Sequence, residues 1–97
     1  MSTTIVVTRN VSDRIRGFLA SSMLELAPGL YCAPRISPAV RLRIWSVLSE
    51  WFAYEDGASI VMLWADSQKP GGLSLEVLGV PRIGLKEVDG LILSVRS

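Results

Sequence analysis

A run of β-branched residues that passes directly into a helical pattern most constrains how this 97-residue chain folds. Residues 5–8 read IVVT, which is typical of a buried strand. Ser12 and Asp13 then supply cap chemistry and negative charge where a helix would begin. Side chains beyond them recur at the spacing of one helix face: Ile15, Phe18, Leu19, Ser22, Met23 and Leu26. The stretch therefore predicts a strand, a short turn and a helix that packs back on a sheet.

Three arginines surround the turn between this strand and this helix: Arg9, Arg14 and Arg16. Backbone N–H groups at a helix start and guanidinium groups both bind phosphate. The net charge is only +1, but residues 1–48 carry six basic and two acidic side chains, whereas residues 49–97 carry four and seven. The basic residues are therefore concentrated in the first half of the chain, where the three arginines form a candidate phosphate site.

Composition limits the chemistry that the chain can perform. It has no histidine, the commonest general base and metal ligand, and a single cysteine, Cys32, which excludes an internal disulfide. We interpret Cys32 as a small core residue. No apolar run approaches the length of a membrane span. We therefore expect a single-domain cytoplasmic protein without a membrane partner, and we assign it no catalytic or metal-binding residues.

The rest of the chain alternates between strand and helix signals. A helix entry is predicted where Ser37 serves as N-cap and Pro38 occupies the first helical position. The buried face of this helix is predicted to contain Val40, Ile44, Val47, Leu48 and Trp51. The first helix is predicted to end at 27–29 and to be followed by a short strand at 30–33 and by the second helix, which runs to about Tyr54. Strands are then predicted at 59–65 and 73–78, joined by a hairpin loop at 68–72. A loop at 79–84, a turn at 89–90 and a terminal strand at 91–95 complete the predicted order.

The strand at residues 59–65 reads SIVMLWA and is apolar on both faces. Two helices can cover only one face of a sheet, so the other face needs a different cover. The simplest solution is a homodimer that packs sheet on sheet. We expect the terminal strand to cross to a neighbour or to add onto its edge, because an apolar strand at a chain end needs partners.

A series of short motifs runs along almost the whole chain. They are Ile5-Val6-Val7-Thr8, Asn10-Val11, Arg14, Arg16-Gly17, Leu19-Ala20, Gly29, Tyr31, Ser37, Arg41, Ile44-Trp45, Val61-Met62, Trp64-Ala65, Gly79, Arg82 and Asp89-Gly90-Leu91. Together they resemble CRISPR-associated protein 2 of subtype I-E. The resemblance implies an α/β (α+β sandwich) protomer with a ferredoxin-like βαββαβ domain in residues 1–84 and an extra C-terminal strand in the tail at 85–97. It also implies that the protomer forms a sheet-to-sheet homodimer.

The resemblance also implies a function. In that family the dimer joins two dimers of CRISPR-associated protein 1, the integrase, and the complex inserts a captured DNA duplex into the CRISPR array. Arg14, Arg16 and Arg82 match residues that contact the backbone of the double-stranded DNA. The tail docks the integrase, for which the candidate residues are Leu91, Ile92, Leu93 and Val95.

Two basic positions of relatives are absent here. Ile83 stands where relatives carry a second basic residue beside Arg82, and Ala39 stands near the start of the second helix. The arginines that could compensate for Ala39 are Arg35, Arg41 and Arg43. Arg14 and Arg16 cannot share one helix face, because two positions on a helix are about 200° apart.

Arg9 stands where relatives carry an acidic residue that can hold a divalent metal for phosphodiester hydrolysis. Arginine does not ligate metals, so we favour a non-enzymatic scaffold without a cofactor. One alternative is a Mg²⁺-dependent nuclease, for which Asp66 and Asp89 are the remaining carboxylates near strand ends. A second alternative is a small regulatory or RNA-binding module that stacks bases on Trp64 and Tyr31.

Overall fold

The computed structural model describes residues 2–79, 84–88 and 91–95, the last two ranges as backbone. These residues form two helices and seven strands. In chain order they are β1 (Ser2–Arg9), α1 (Asp13–Ser22), β2 (Leu24–Ala27), β3 (Leu30–Ile36), α2 (Pro38–Phe52), β4 (Ser59–Ala65), a 3-10 turn (Pro70–Gly72), β5 (Leu73–Gly79), β6 (Gly84–Val88) and β7 (Leu91–Val95).

Strands β1 to β5 form one antiparallel sheet in the order β2-β3-β1-β4-β5, with β1 at its centre. The path from β1 to β4 is compatible with a ferredoxin-like fold, and β5 extends the sheet beside β4. The predicted mixed α+β architecture is confirmed at this level. Among the described residues, no helix is long and apolar enough to cross a membrane.

Both helices cover the same face of this sheet. Val6 of β1 lies in register with Tyr31 of β3 and Met62 of β4, and all three are fully buried. These strand residues pack in one cluster with residues from both helices: Ile15 and Leu19 from α1, Ile44 and Leu48 from α2. The core is thus a single layer between the two helices and the sheet.

The other side of the sheet, here called the open face, is apolar and uncovered in the single chain. Strand alternation and register assign ten apolar side chains to it, none of them buried: Ile5, Val7, Leu24, Leu30, Cys32, Val61, Leu63, Leu73, Leu75 and Val77. Strand β4 is therefore apolar on both faces, as predicted. Cys32 lies on the open face, so its interpretation as a core residue is wrong.

The first helix ends earlier than the periodicity predicts. It stops at Ser22, Met23 is extended with φ −141°, and residues 24–27 form the edge strand β2. The hydroxyls of Ser21 and Ser22 both donate to the Phe18 carbonyl, which offers the backbone an alternative to further helical turns. Leu26 is 61% exposed rather than part of the helix face. The segment 27–29 consequently turns β2 into β3 instead of ending a helix.

The second helix agrees better with its prediction. The Ser37 hydroxyl accepts a hydrogen bond from the Val40 amide at 3.2 Å, which confirms the predicted N-cap. The helix ends at Phe52, two residues before the predicted end. Val40 is 41% exposed, so its assignment to the buried face is wrong.

The last two strands form a separate antiparallel hairpin. Strand β7 is confirmed, but it pairs along its length with β6, which the sequence analysis did not predict. Its backbone approaches the 3-10 turn at Pro70–Gly72. The predicted turn at 89–90 lies outside the described residues.

Candidate nucleic-acid interface

The connection between β1 and α1, here called the arginine turn (residues 9–16), reverses the chain at Asn10. Among the described residues, Asn10 is the one non-glycine residue with positive φ, at +57°. Asparagine tolerates this left-handed conformation better than most residues. Its side-chain amide donates to the Gly57 carbonyl at 3.2 Å. The reversal leaves Arg9 on the sheet and carries the next two arginines onto the helix.

The preceding residue ties the arginine turn to the β2–β3 turn. The Thr8 amide and hydroxyl both donate to the Gly29 carbonyl, at 2.8 and 3.1 Å. Gly29 has φ +80°, and a side chain there would meet the Thr8 carbonyl at 3.0 Å. Glycine is therefore required at this close approach.

The start of α1 is held by a carboxylate from elsewhere in the chain. Ser12 is the N-cap residue, as predicted, but its hydroxyl makes no cap hydrogen bond. Instead the Ser12 amide donates to Oε1 of Glu55 at 2.7 Å. This amide therefore already has an anionic partner within the chain, and the guanidinium groups are the remaining candidate phosphate ligands of the arginine turn.

Arg14 lies toward α2. Its guanidinium carbon is 3.9 Å from the centroid of the Trp51 ring, and Trp51 in turn packs edge-on against Phe18 with 5.3 Å between ring centroids. An exposed cation–π contact of this kind stabilises by about 0.5–1 kcal/mol. The contact restricts the orientation of the exposed Arg14 guanidinium group but does not neutralise its charge.

Arg16 lies toward the β2–β3 turn. It lines a polar cavity of about 300 Å³ together with Thr8, Asn10, Val11, Pro28 and Gly29. Its Nη1 is 3.8 Å from Oδ1 of Asp13, and both side chains are largely exposed, so this ion pair contributes little. Arg14 and Arg16 therefore lie on different sides of α1, as their spacing predicts.

Arg9 lies on a third surface of the protein. It is exposed at the end of β1, opposite Ser59, on the open face of the sheet. The structure thus brings Arg9, Arg14 and Arg16 to one connection but turns each toward a different surface. Arg82 lies outside the described residues.

A second basic position lies at the other end of the sheet. The guanidinium carbon of Arg41 is 4.2 Å from the centroid of the Trp64 ring. Of the three arginines that could compensate for Ala39, Arg41 is half-buried against this ring, whereas Arg35 and Arg43 are exposed. Arg41 therefore has the most restricted guanidinium group of the three.

Asp66, one of the two candidate magnesium ligands, is bound by groups of its own turn. Oδ1 of Asp66 accepts from the Gln68 amide and Oδ2 from the Ser74 hydroxyl, each at 3.0 Å. These hydrogen bonds hold the pKa of Asp66 below its usual range, and they make it a turn-capping residue. In the part of the chain that the structure describes, no three His, Cys, Asp or Glu side chains cluster as metal ligands. Asp89 lies outside the described residues.

Tyr31 and Trp64, the two predicted stacking residues, do not form a base-stacking platform. Tyr31 is fully buried beneath the helices, so its ring cannot contact a nucleotide. Burial, followed by the nearby Glu25 carboxylate, raises the pKa of the Tyr31 hydroxyl. Trp64 lies on the helix-covered face, where Arg41 stacks on its ring.

Comparison with known families identifies the family of the chain. Residues 3–93 match the family model described as CRISPR-associated protein (Cas_Cas2CT1978). The chain belongs to this family. Membership of this Cas2-type family indicates a role in CRISPR adaptation and, in general terms, a partnership with the integrase, CRISPR-associated protein 1.

Sequence reasoning found the arginines but missed the residues that hold them. Trp51 was assigned to the buried helix face, although it also supports Arg14. Asn10 carried a usable signal, because asparagine between a strand and a helix often adopts a left-handed conformation. Glu55 carried none, since it lies 43 residues from the amide that it binds.

Proposed function

We propose that the chain is the dimeric scaffold subunit of a subtype I-E adaptation complex, which binds the backbone of duplex DNA and bridges two integrase dimers. The observation that carries this proposal is the arginine turn: three exposed guanidinium groups project from one connection that hydrogen bonds fix to two other loops. The family match supports the same reading.

The chemistry of the arginine turn suits phosphate rather than bases. Guanidinium groups pair with phosphate oxygens in a fixed fork geometry. Arg14 and Arg16 lie on different sides of α1, so they would contact phosphates at different positions along the backbone. Contacts of this kind position a protein on DNA without reading its sequence.

The open face supports a sheet-to-sheet dimer. Its ten apolar side chains form a continuous surface across β2 to β5, and exposed apolar patches of this kind mark interaction sites. In such a dimer the two Arg9 residues lie at the ends of the packed open faces. Their positive charges disfavour a shared metal ion there, which supports a scaffold that needs no cofactor.

The β6–β7 hairpin is the proposed docking segment for the integrase. Strand addition to an edge supplies main-chain hydrogen bonds, while alternate side chains select the partner. The candidate side chains remain those proposed from the sequence: Leu91, Ile92, Leu93 and Val95.

Duplex binding by variants of the arginine turn tests the proposal. We expect Arg14→Ala and Arg16→Ala each to weaken binding about tenfold for every duplex sequence, because a charge-assisted contact is lost. The slope of log affinity against log salt should fall in magnitude by about one unit for each lost phosphate contact. Fluorescence anisotropy with two unrelated duplexes at several salt concentrations measures both quantities.

Lys69→Ala is the matched control, because it removes one positive charge beyond the opposite end of β4. It should leave the affinity within about twofold of the original protein. Arginine variants that bind like the original protein, or that lose affinity for one sequence alone, would contradict the proposed backbone contact.

A further inference from the structure

The first turn of α1 is connected to a distant loop through a continuous series of hydrogen bonds. Glu55 accepts from the Ser12 amide at 2.7 Å, and the Ser12 carbonyl accepts from the Arg16 amide at 3.0 Å. Two residues before Ser12, the Asn10 side chain binds the Gly57 carbonyl at 3.2 Å. The loop that follows α2 therefore holds the arginine turn at two points.

From this geometry we propose that Glu55 is a positioning residue for phosphate binding by Arg14 and Arg16, an inference that rests on the proposed function. Its carboxylate fixes the direction in which α1 leaves the arginine turn. It acts through the backbone of Ser12 and makes no contact with DNA of its own.

The orientation of both arginines depends on this contact for a physical reason. The first amides of a helix have no partner within the helix, so they need one from outside. Arg14 stacks on Trp51, which belongs to the helix that precedes Glu55. A shift of α1 relative to α2 would move Arg14 off its ring and Arg16 out of its cavity beside Gly29.

The charge of Glu55 makes this proposal sharply testable. A carboxylate beside a phosphate-binding surface repels DNA, so a residue without a positioning role would strengthen binding when its charge is removed. For a positioning residue, duplex binding depends instead on the length of the side chain and little on its charge. The two roles therefore predict different responses when the side chain is shortened and its charge is kept: binding weakens for a positioning residue and is unchanged for a residue that only repels DNA.

Glu55→Asp keeps the charge but shortens the side chain by one methylene, whereas Glu55→Gln keeps the reach and an acceptor oxygen. We expect Glu55→Asp to weaken duplex binding about threefold to tenfold and to reduce the salt slope by about one unit. Glu55→Gln should keep the salt slope of the original protein and bind the duplex at least as tightly. Glu50→Gln is the control for the charge change, because it removes the same charge from an exposed position on α2.

Fluorescence anisotropy across a salt series measures these effects, and circular dichroism at the same temperature establishes that each variant is folded. Glu55→Asp with the original affinity and salt slope would overturn the positioning role. The positioning role would also be overturned if Glu55→Asp and Glu55→Gln changed the duplex affinity and the salt slope equally. An original protein that binds no duplex would instead contradict the proposed function, so the two failures are distinguishable.

Discussion

At the scale of single residues, Arg14 and Arg16 each contact a part of the chain that is distant in sequence. The two arginines diverge around α1, as their two-residue spacing predicts. Their supports, the Trp51 ring and the cavity beside Gly29, come from α2 and from the β2–β3 turn. Long-range contacts of this kind leave no local pattern, which is why they could not be predicted.

Tyr31 provides a residue-scale prediction about pH. Its hydroxyl is buried beside the Glu25 carboxylate and the Arg16 guanidinium, but in the described structure it makes no hydrogen bond of good geometry. Because its pKa is raised in the folded protein, the unfolded chain ionises first. The folded state therefore keeps its full stability below about pH 10, the usual pKa of tyrosine, and loses it as the pH rises further.

Tyr31→Phe should remove this alkaline loss and leave the free energy of unfolding at pH 7 unchanged or higher by up to about 1 kcal/mol, because an unpartnered hydroxyl is removed. Urea denaturation of both proteins at pH 7 and at several values above pH 9 measures the difference. A variant that is markedly less stable at pH 7 would mean that the hydroxyl has a partner.

At the scale of elements, the main wrong predictions arose where one sequence pattern fitted both a helix and a strand. Leu26 continues the apolar spacing of α1, but Leu24 and Leu26 together also fit the alternation of a strand. The serines at the end of α1 decide between the two, since their hydroxyls bind the Phe18 carbonyl. Strand β6 was missed because residues 84–88 contain Gly, Lys and Glu, which are depleted in strands.

The β6–β7 hairpin carries an element-scale prediction. Truncation after Asp89 removes β7 and leaves the five-stranded sheet intact. We expect a folded dimer that still binds duplex DNA but no longer co-elutes with the integrase on size exclusion, because the docking strand is lost.

Full-length Leu93→Asp is a second variant, since it keeps the chain length and changes one candidate contact. Undiminished co-elution of the truncated protein would show that the hairpin does not dock the integrase. An insoluble truncated protein would place β7 in the folding core and move the docking surface elsewhere.

At the scale of the whole molecule, alternation of apolar side chains predicted more than any motif. The composition of β4 indicated a sheet that needs covering on both faces, and the structure shows one face under two helices. The sequence could not say which face remains open, because Ile60 and Val61 are equally apolar. The helices cover Ile60 and Met62, so Val61 and Leu63 belong to the surface through which we expect the dimer to form.

In the proposed function, two copies of the chain bind one DNA duplex and leave it intact. Light scattering after size exclusion, with a short duplex in a Mg²⁺ buffer, measures this stoichiometry. Leu63→Asp on the open face is the control, since a buried charge at the interface should reduce the complex to single chains. We predict a mass of one intact duplex plus twice the 10.6 kDa of one chain. One chain per duplex, or a duplex shortened in a way that Asp66→Asn abolishes, would contradict the account.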